Sequence, residues 1–163
     1  MSFPPTTTGP DTLRQPPILV RPFDRLTIAE YHRIVRAREA VFHLEQHITC
    51  PDADAVDPQS VFLWTEQENR VVAFLRIIPA GVVCDEVSVG RVLVDAACRR
   101  RGLCRRMMLE ALRYIDGTWG PSPRPDLRTA LPGRLLRVAG IRSGLRTLRD
   151  EAGISHVKML RRP

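Results

Sequence analysis

Apolar residues along this chain follow two rhythms. Ile18-Leu19-Val20, Val61 to Thr65 and Val71 to Ile78 are runs of strand length rich in β-branched and aromatic residues. Ile28, Tyr31, Ile34, Val35, Val41, Phe42 and Leu44 recur at helical spacing, as do Leu103, Cys104, Met107, Met108, Ala111, Leu112 and Ile115. Thr27 and Glu30 form a capping-box pattern ahead of the first helix, which is predicted to run to about Leu44. Glu66 to Arg70 has the length of a hairpin connection, and Pro79-Ala80-Gly81 ends the strand that follows it. A central strand is predicted over Glu86 to Val94, feeding a second helix that reaches about Asp116. The order is therefore β-α-β-β-β-α before the last third of the chain.

Both ends carry weaker patterns. Met1 to Pro17 holds five prolines and little hydrophobic material, so it reads as a disordered lead-in, with a single domain over residues 18–163. Trp119 to Pro125 reads as a loop, Leu127 to Ala130 as a strand, Leu131 to Ala139 as a short helix opened by Pro132, and Leu145 to Leu148 and His156 to Leu160 as closing strands. Glu45 to Gln59, with two prolines and Asp52, Asp54 and Asp57, reads as a long loop of the kind that carries function.

Composition narrows the class. A chain of 163 residues with 44% hydrophobic content suits one globular domain, and no apolar run approaches the length of a membrane span. The first residues lack the basic start and apolar centre of a secretory signal, so a cytoplasmic address is expected. Cys50, Cys84, Cys98 and Cys104 show no paired metal-type spacing and are read as reduced thiols. A net charge of +7 favours anionic ligands, either a nucleotide cosubstrate or nucleic acid.

Candidate chemistry gathers between the central strand and the second helix. There Arg99, Arg100 and Arg101 precede Gly102, and Arg105 and Arg106 follow in the first helical turn. The leading N–H groups of a helix are unpaired and carry partial positive charge, a glycine lets an anion approach the backbone, and arginine forks match phosphate oxygens. Arg99 to Cys104 resembles the R/Q-x-x-G-x-G/A acyl-CoA signature of the GNAT N-acetyltransferase superfamily, with Cys104 in place of its last small residue. Arg38 to Phe42, Glu45-Gln46 and Pro51-Asp52 resemble the R-x-x-V-F-x-x-E-Q-x-x-x-P-x-x-D run of that superfamily's ElaA-like branch. Glu86 to Val94 and Gly153 to Met159 resemble the same branch's central strand and its closing G-I-P-H-I-E-M.

The resemblance implies an α/β GNAT fold, a central mixed and mostly antiparallel sheet flanked by helices. It implies direct transfer of an acetyl group from acetyl-CoA to a primary amine of a small molecule or peptide. The backbone of Val92, Leu93 and Val94 would pair with the pantetheine arm, while Arg99, Arg100, Arg101, Gly102, Leu103, Cys104 and Arg105 hold the diphosphate. Glu86 is the first candidate base, since an enclosed carboxylate can be raised toward working pH, although a salt-bridged strand end fits it equally. His156 is a second candidate, as base or substrate contact, with packing as its ordinary alternative.

Other readings compete. Leu136 falls where many family members carry a proton-donating tyrosine, which favours a binding protein with little transfer. The basic charge favours a nucleic-acid module, although interleaved aromatics are missing. His43, His47 and Cys50 have a spacing that zinc accepts, but no fourth ligand is evident and no metal is expected. Cys98 and Cys104 flank the arginine turn, a setting that lowers a thiol pKa, yet direct transfer needs no thiol and both read as small inert residues. Asp52, Asp54 and Asp57 favour a cationic amine if they face the site, or keep the loop soluble. The acceptor is not legible, and a homodimer is left open.

Overall fold

A computed structural model of the chain describes residues 16–49 and 51–120 in full, and the backbone of three further strands at 126–129, 142–149 and 155–160. Seven strands make one sheet: β1 (Ile18–Pro22), β2 (Val61–Gln67), β3 (Arg70–Ile78), β4 (Ser88–Val94), β5 (Asp126–Thr129), β6 (Arg142–Arg149) and β7 (Ser155–Leu160). They lie in the order β1-β2-β3-β4-β5-β7-β6, with β4 and β5 parallel and every other pair antiparallel. Two α-helices accompany them, α1 (Ile28–Arg38) and α2 (Leu103–Trp119). The sheet is thus mixed and mostly antiparallel, as the family pattern implied.

Both faces of the sheet are covered, which explains why β2 and β3 are apolar at successive positions rather than alternating. Val61 and Leu63 pack with Met107, Met108 and Ala111 of α2, while Phe62 and Trp64 pack with Ile34 of α1 and with Val41 and Phe42 beyond it. Phe62, Trp64 and Phe74 have no exposed surface. Burial of each such side chain contributes about 1.5–3 kcal/mol, so these two layers dominate the stability of the described body.

Local signals explain the element boundaries. Thr27 Oγ1 accepts from the Glu30 N–H at 3.2 Å, and the Glu30 carboxylate accepts from the Thr27 N–H at 2.8 Å, completing the expected capping box. Glu68 and Asn69, both at positive φ, make the tight β2–β3 turn. The first helix does not stay α-helical to Leu44: after Arg38 it widens into a π-helical segment, Glu39–Glu45. Side-chain period scarcely distinguishes 3.6 residues per turn from a slightly wider winding. The α2 helix also runs three residues beyond Asp116, to Trp119, before Gly120 at φ 80° ends it.

Three further differences bear on the site. Strand β4 begins at Ser88, so Glu86 lies in the bend before it and the alternation that would align Glu86 with Ser88 and Gly90 does not reach back that far. The predicted loop Glu45 to Gln59 contains a short 3-10 turn at Asp57–Gln59. Pro16 and Pro17 are tied to the sheet, since Thr65 Oγ1 donates to the Pro17 carbonyl at 2.8 Å and Arg106 donates to the Pro16 carbonyl at 2.5 Å. The expected helix at 131–139 and the residues 1–15 of the expected lead-in lie outside the described residues.

Candidate active site

Strand β4 is regular only in part. Ala73 and Phe74 face Val94 and Leu93, but Arg76 faces Gly90, so β4 holds one more residue than β3 across this step. Val89 packs toward α2, and so do Val92 and Val94. Two residues three apart on one face require a bulge, and Arg91 supplies it at φ 51°. A left-handed arginine is strained by about 1–2 kcal/mol, so its surroundings must hold it there.

On its other side β4 pairs with β5 through Ser88 and Val89 alone; Gly90 to Val94 have no partner on β5 among the described residues. Strand β4 extends past the described part of β5, so on this side Gly90 to Val94 form the edge of the described sheet. That edge runs straight into the arginine turn. Asp95 opens a 3-10 turn, Ala96–Cys98, by accepting from the Ala97 N–H at 2.9 Å. Arg100 and Gly102 then both take positive φ, 62° and 76°, and α2 starts with Gly102 as its N-cap residue.

Glycine at 102 therefore meets a backbone requirement that the sequence did not reveal. A Cβ there would touch nothing within 4 Å, so the glycine is not demanded by protein packing. Gly102 has no side chain, so no side-chain hydrogen bond caps the start of α2. Arg100 and Arg101 are exposed beside it. Arg99 is engaged: its Nε donates to the Val94 carbonyl at 2.9 Å and its Nη2 to Glu45 Oε2 at 2.7 Å.

Asp52, Asp54 and Asp57 of the acidic loop are all paired with arginines. Arg38, with no exposed area, donates from Nη1 to Asp57 Oδ2 at 2.9 Å and from Nε to Asp52 Oδ2 at 2.6 Å. Arg76 donates to Asp54 Oδ1 at 2.6 Å and to Asp57 Oδ1 at 2.5 Å. Arg91 Nε lies 2.8 Å from Asp52 Oδ1, close enough for charge pairing although its N–H is not aimed at the oxygen, and Nη2 lies 3.5 Å from Asp54 Oδ2. Three cations and three carboxylates thus neutralise one another beneath the loop. Burial would push the Asp54 carboxyl up, but hydrogen bonds and charge from Arg76, the Val56 N–H and the charge of Arg91 together hold it below its ordinary value.

Above this cluster lies a small cleft lined by Phe42, His43, Ile48, Asp52 and Arg91. The Arg91 guanidinium stands 6.0 Å from the Phe42 ring centroid. The cleft therefore opens beside the bulge. Of these residues only Asp52 was given a substrate role from the sequence, as a partner for a cationic amine, because Asp52 and Arg91 are far apart in the chain and only folding brings them to one wall.

The predicted site residues are partly assembled. Val92, Leu93, Val94 and the turn Arg99 to Arg105 form one continuous run from the end of β4 to the start of α2. Glu86 is half-buried at the entry to β4, its carbonyl accepting from Cys84 Sγ at 3.3 Å. His156 lies on β7, next to Val157, which pairs with Thr129 of β5, which in turn pairs with Val89. His43 Nδ1 is 2.9 Å from the Ile48 carbonyl, and no group of three His, Cys, Asp or Glu able to hold a metal occurs among the described residues. Cys50 lies outside them. The arginine turn does not activate Cys104; burial pushes its thiol above the ordinary value.

A mixed sheet with a bulged fourth strand leading through a basic turn into a helix sets the class of fold, and the chain belongs to the acetyltransferase (GNAT) family, whose model matches residues 27–120. Within it, the relatives are the ElaA and UPF0039 proteins. A UPF0039 protein of Schizosaccharomyces pombe is 35% identical over 91 residues, covering 55% of this chain and 59% of that protein. Protein ElaA of Escherichia coli is 26% identical over 102 residues, covering 60% and 65%. The chain's match thus spans less than two thirds of the length of these curated relatives.

Solved structures agree on the fold. An acyl-CoA N-acyltransferase from Pseudomonas aeruginosa superposes with a TM-score of 0.78 at 22% identity, over 91% of this chain and all of that one. The Escherichia coli ElaA structure gives a TM-score of 0.76 at 18% identity over the same shares. Among the described residues, no helix is long and apolar enough to cross a membrane.

Proposed function

We propose that this protein transfers an acetyl group from acetyl-CoA to a primary amine of a small molecule or peptide. The observation that carries the reading is the bulged strand β4 running through a basic turn into a helix start whose N-cap, Gly102, has positive φ and no side-chain cap. Amides of the pantetheine arm pair with Val92, Leu93 and Val94, and a backbone N–H there meets the thioester oxygen as it gains charge. The diphosphate takes the N–H groups of Gly102, Leu103, Cys104 and Arg105, with Arg99, Arg100 and Arg101 around it. Glu86, in the bend before β4, and His156, on β7, are the candidates from the sequence for base or acceptor contact.

Holding the amine against the thioester supplies much of the catalysis, since correct positioning alone can lower a barrier by about 7–11 kcal/mol. Calorimetric titration with acetyl-CoA tests the reading, followed by thiol detection of released CoA with a tripeptide, spermidine, glucosamine and an arylamine as acceptors. Absence of binding at millimolar acetyl-CoA overturns it. Binding without CoA release above the no-amine background would instead indicate an acyl-CoA-binding protein, the reading that Leu136 at the expected tyrosine position favours.

A further inference from the structure

We propose that His43 is the group that takes the proton from the acceptor amine, with the cleft of Phe42, His43, Ile48, Asp52 and Arg91 as the acceptor's seat. The inference rests on the transferase reading above and goes beyond it by naming a proton acceptor that the sequence pattern did not suggest.

Tautomer comes first. His43 Nδ1 lies 2.9 Å from the Ile48 carbonyl oxygen, which can only accept, so Nδ1 carries the hydrogen and the neutral ring has its lone pair on Nε2. The same bond survives when Nε2 is protonated, because Nδ1 is a donor in both forms. A ring held this way can gain and lose a proton without moving.

Placement comes second. His43 shares the cleft with Arg91, which directly precedes Val92 on β4. Two residues further along the π-helical segment, Glu45 reaches Arg99 of the basic turn at 2.7 Å. Residues 43 to 45 thus run beside β4 from its bulge to the diphosphate end. Glu86 is worse placed: Ser88 alone is four residues from Val92, about 13 Å at roughly 3.3 Å per residue, and Glu86 precedes Ser88.

The charges facing His43 across the cleft are Asp52 and Arg91, which neutralise each other; Glu39, Glu45 and His47 lie on its own segment. In the step itself the amine nitrogen forms the bond to the acetyl carbon while His43 Nε2 takes a proton from that nitrogen. The carbon–sulfur bond breaks with its electron pair leaving on sulfur. The thiolate takes a proton from solvent, and His43 returns its own to solvent.

His43→Asn tests this, because the asparagine amide can occupy the place of Nδ1 and keep the bond to Ile48 while removing the basic nitrogen. Expected are unchanged acetyl-CoA affinity by calorimetry, a melting temperature near the parent's, and a kcat lower by about 100-fold, within the range of general-base contributions. At saturating amine the parent's kcat should fall toward acidic pH, and the variant should lose that limb. Added imidazole should restore activity to His43→Ala.

A His43→Asn enzyme with parental kcat, or one that keeps the acidic limb, overturns the proposal alone. A parent that binds acetyl-CoA but acetylates none of the four amines overturns it together with the transferase reading. Loss of activity without rescue of His43→Ala by imidazole, and with the limb intact in His43→Asn, assigns the residue a structural role and also overturns it.

Discussion

Glu45 and Arg99, 54 residues apart in the chain, meet through a 2.7 Å charge-assisted hydrogen bond that joins the end of the π-helical segment to the basic turn. That hydrogen bond holds the Glu45 carboxyl below its ordinary range. A diphosphate arriving at the turn competes with Glu45 for the same guanidinium. Glu45→Gln removes the competing charge, and since exposed ion pairs are weak, acetyl-CoA should bind up to roughly fivefold more tightly. Arg99→Ala should weaken binding by about tenfold, equivalent to ~1.4 kcal/mol. Titration calorimetry at constant salt measures both, and equal affinities in all three proteins would remove Arg99 from the diphosphate seat.

Gly102 carries two demands that one substitution would confuse. At φ 76° any β-branched residue is strained, so Gly102→Val should lower stability by about 1–2 kcal/mol as well as weaken acetyl-CoA binding by at least about tenfold. Asparagine tolerates the left-handed region better, and Gly102→Asn should therefore melt closer to the parent while still obstructing the phosphate path. Arg113→Ala, on the same helix and paired only with the neighbouring Glu110 among the described residues, is the control and should bind normally. Parental affinity in a folded Gly102→Asn would show that the helix start is not where the phosphates sit.

Asp57 accepts from both Arg38 and Arg76 and is 1% exposed. Removing one member of a buried ionic group leaves uncompensated charge, so Asp57→Ala should cost about 3–5 kcal/mol in urea unfolding at neutral pH. Asp54 adds a pH dependence. Its carboxyl titrates lower in the folded chain than in the unfolded one, so its stabilisation is complete above about pH 4 and is lost as pH falls through the folded value. In Asp54→Asn the denaturation midpoint should vary less with pH in that acidic window, and an unchanged pH profile would contradict the pairing.

Cys104 should be an inert filler. With its thiol pushed up by burial, it should react with iodoacetamide at pH 7.5 more slowly than a free thiol. Cys104→Ala should keep acetyl-CoA affinity and CoA release within about twofold, because direct transfer forms no acyl-cysteine. A large loss of transfer with retained binding would point to a covalent route.

Much of this protein is set locally and is therefore visible in its residues. The apolar rhythm marks β1 to β4, α1 and α2, and Thr27 with Glu30 marks a helix start, because both effects act within a few residues. The basic run from Arg99 that leads into the start of α2 at Gly102 is visible for the same reason, since turn and helix start are contiguous in the chain.

Long-range pairing decided the rest. Asp52, Asp54 and Asp57 look like a soluble loop until Arg38, Arg76 and Arg91 arrive from 14, 22 and more residues away to bury and neutralise them. The bulge at Arg91 follows from a register between β3 and β4 that no single strand encodes, and the cleft beside it exists only once the π-helical segment has been laid along β4. A charged side chain carries no local signal of its partner. Whether it is a solvated surface or the wall of a site depends on which distant charge the sheet brings within about 3 Å, where the protein interior strengthens their attraction enough to offset lost hydration.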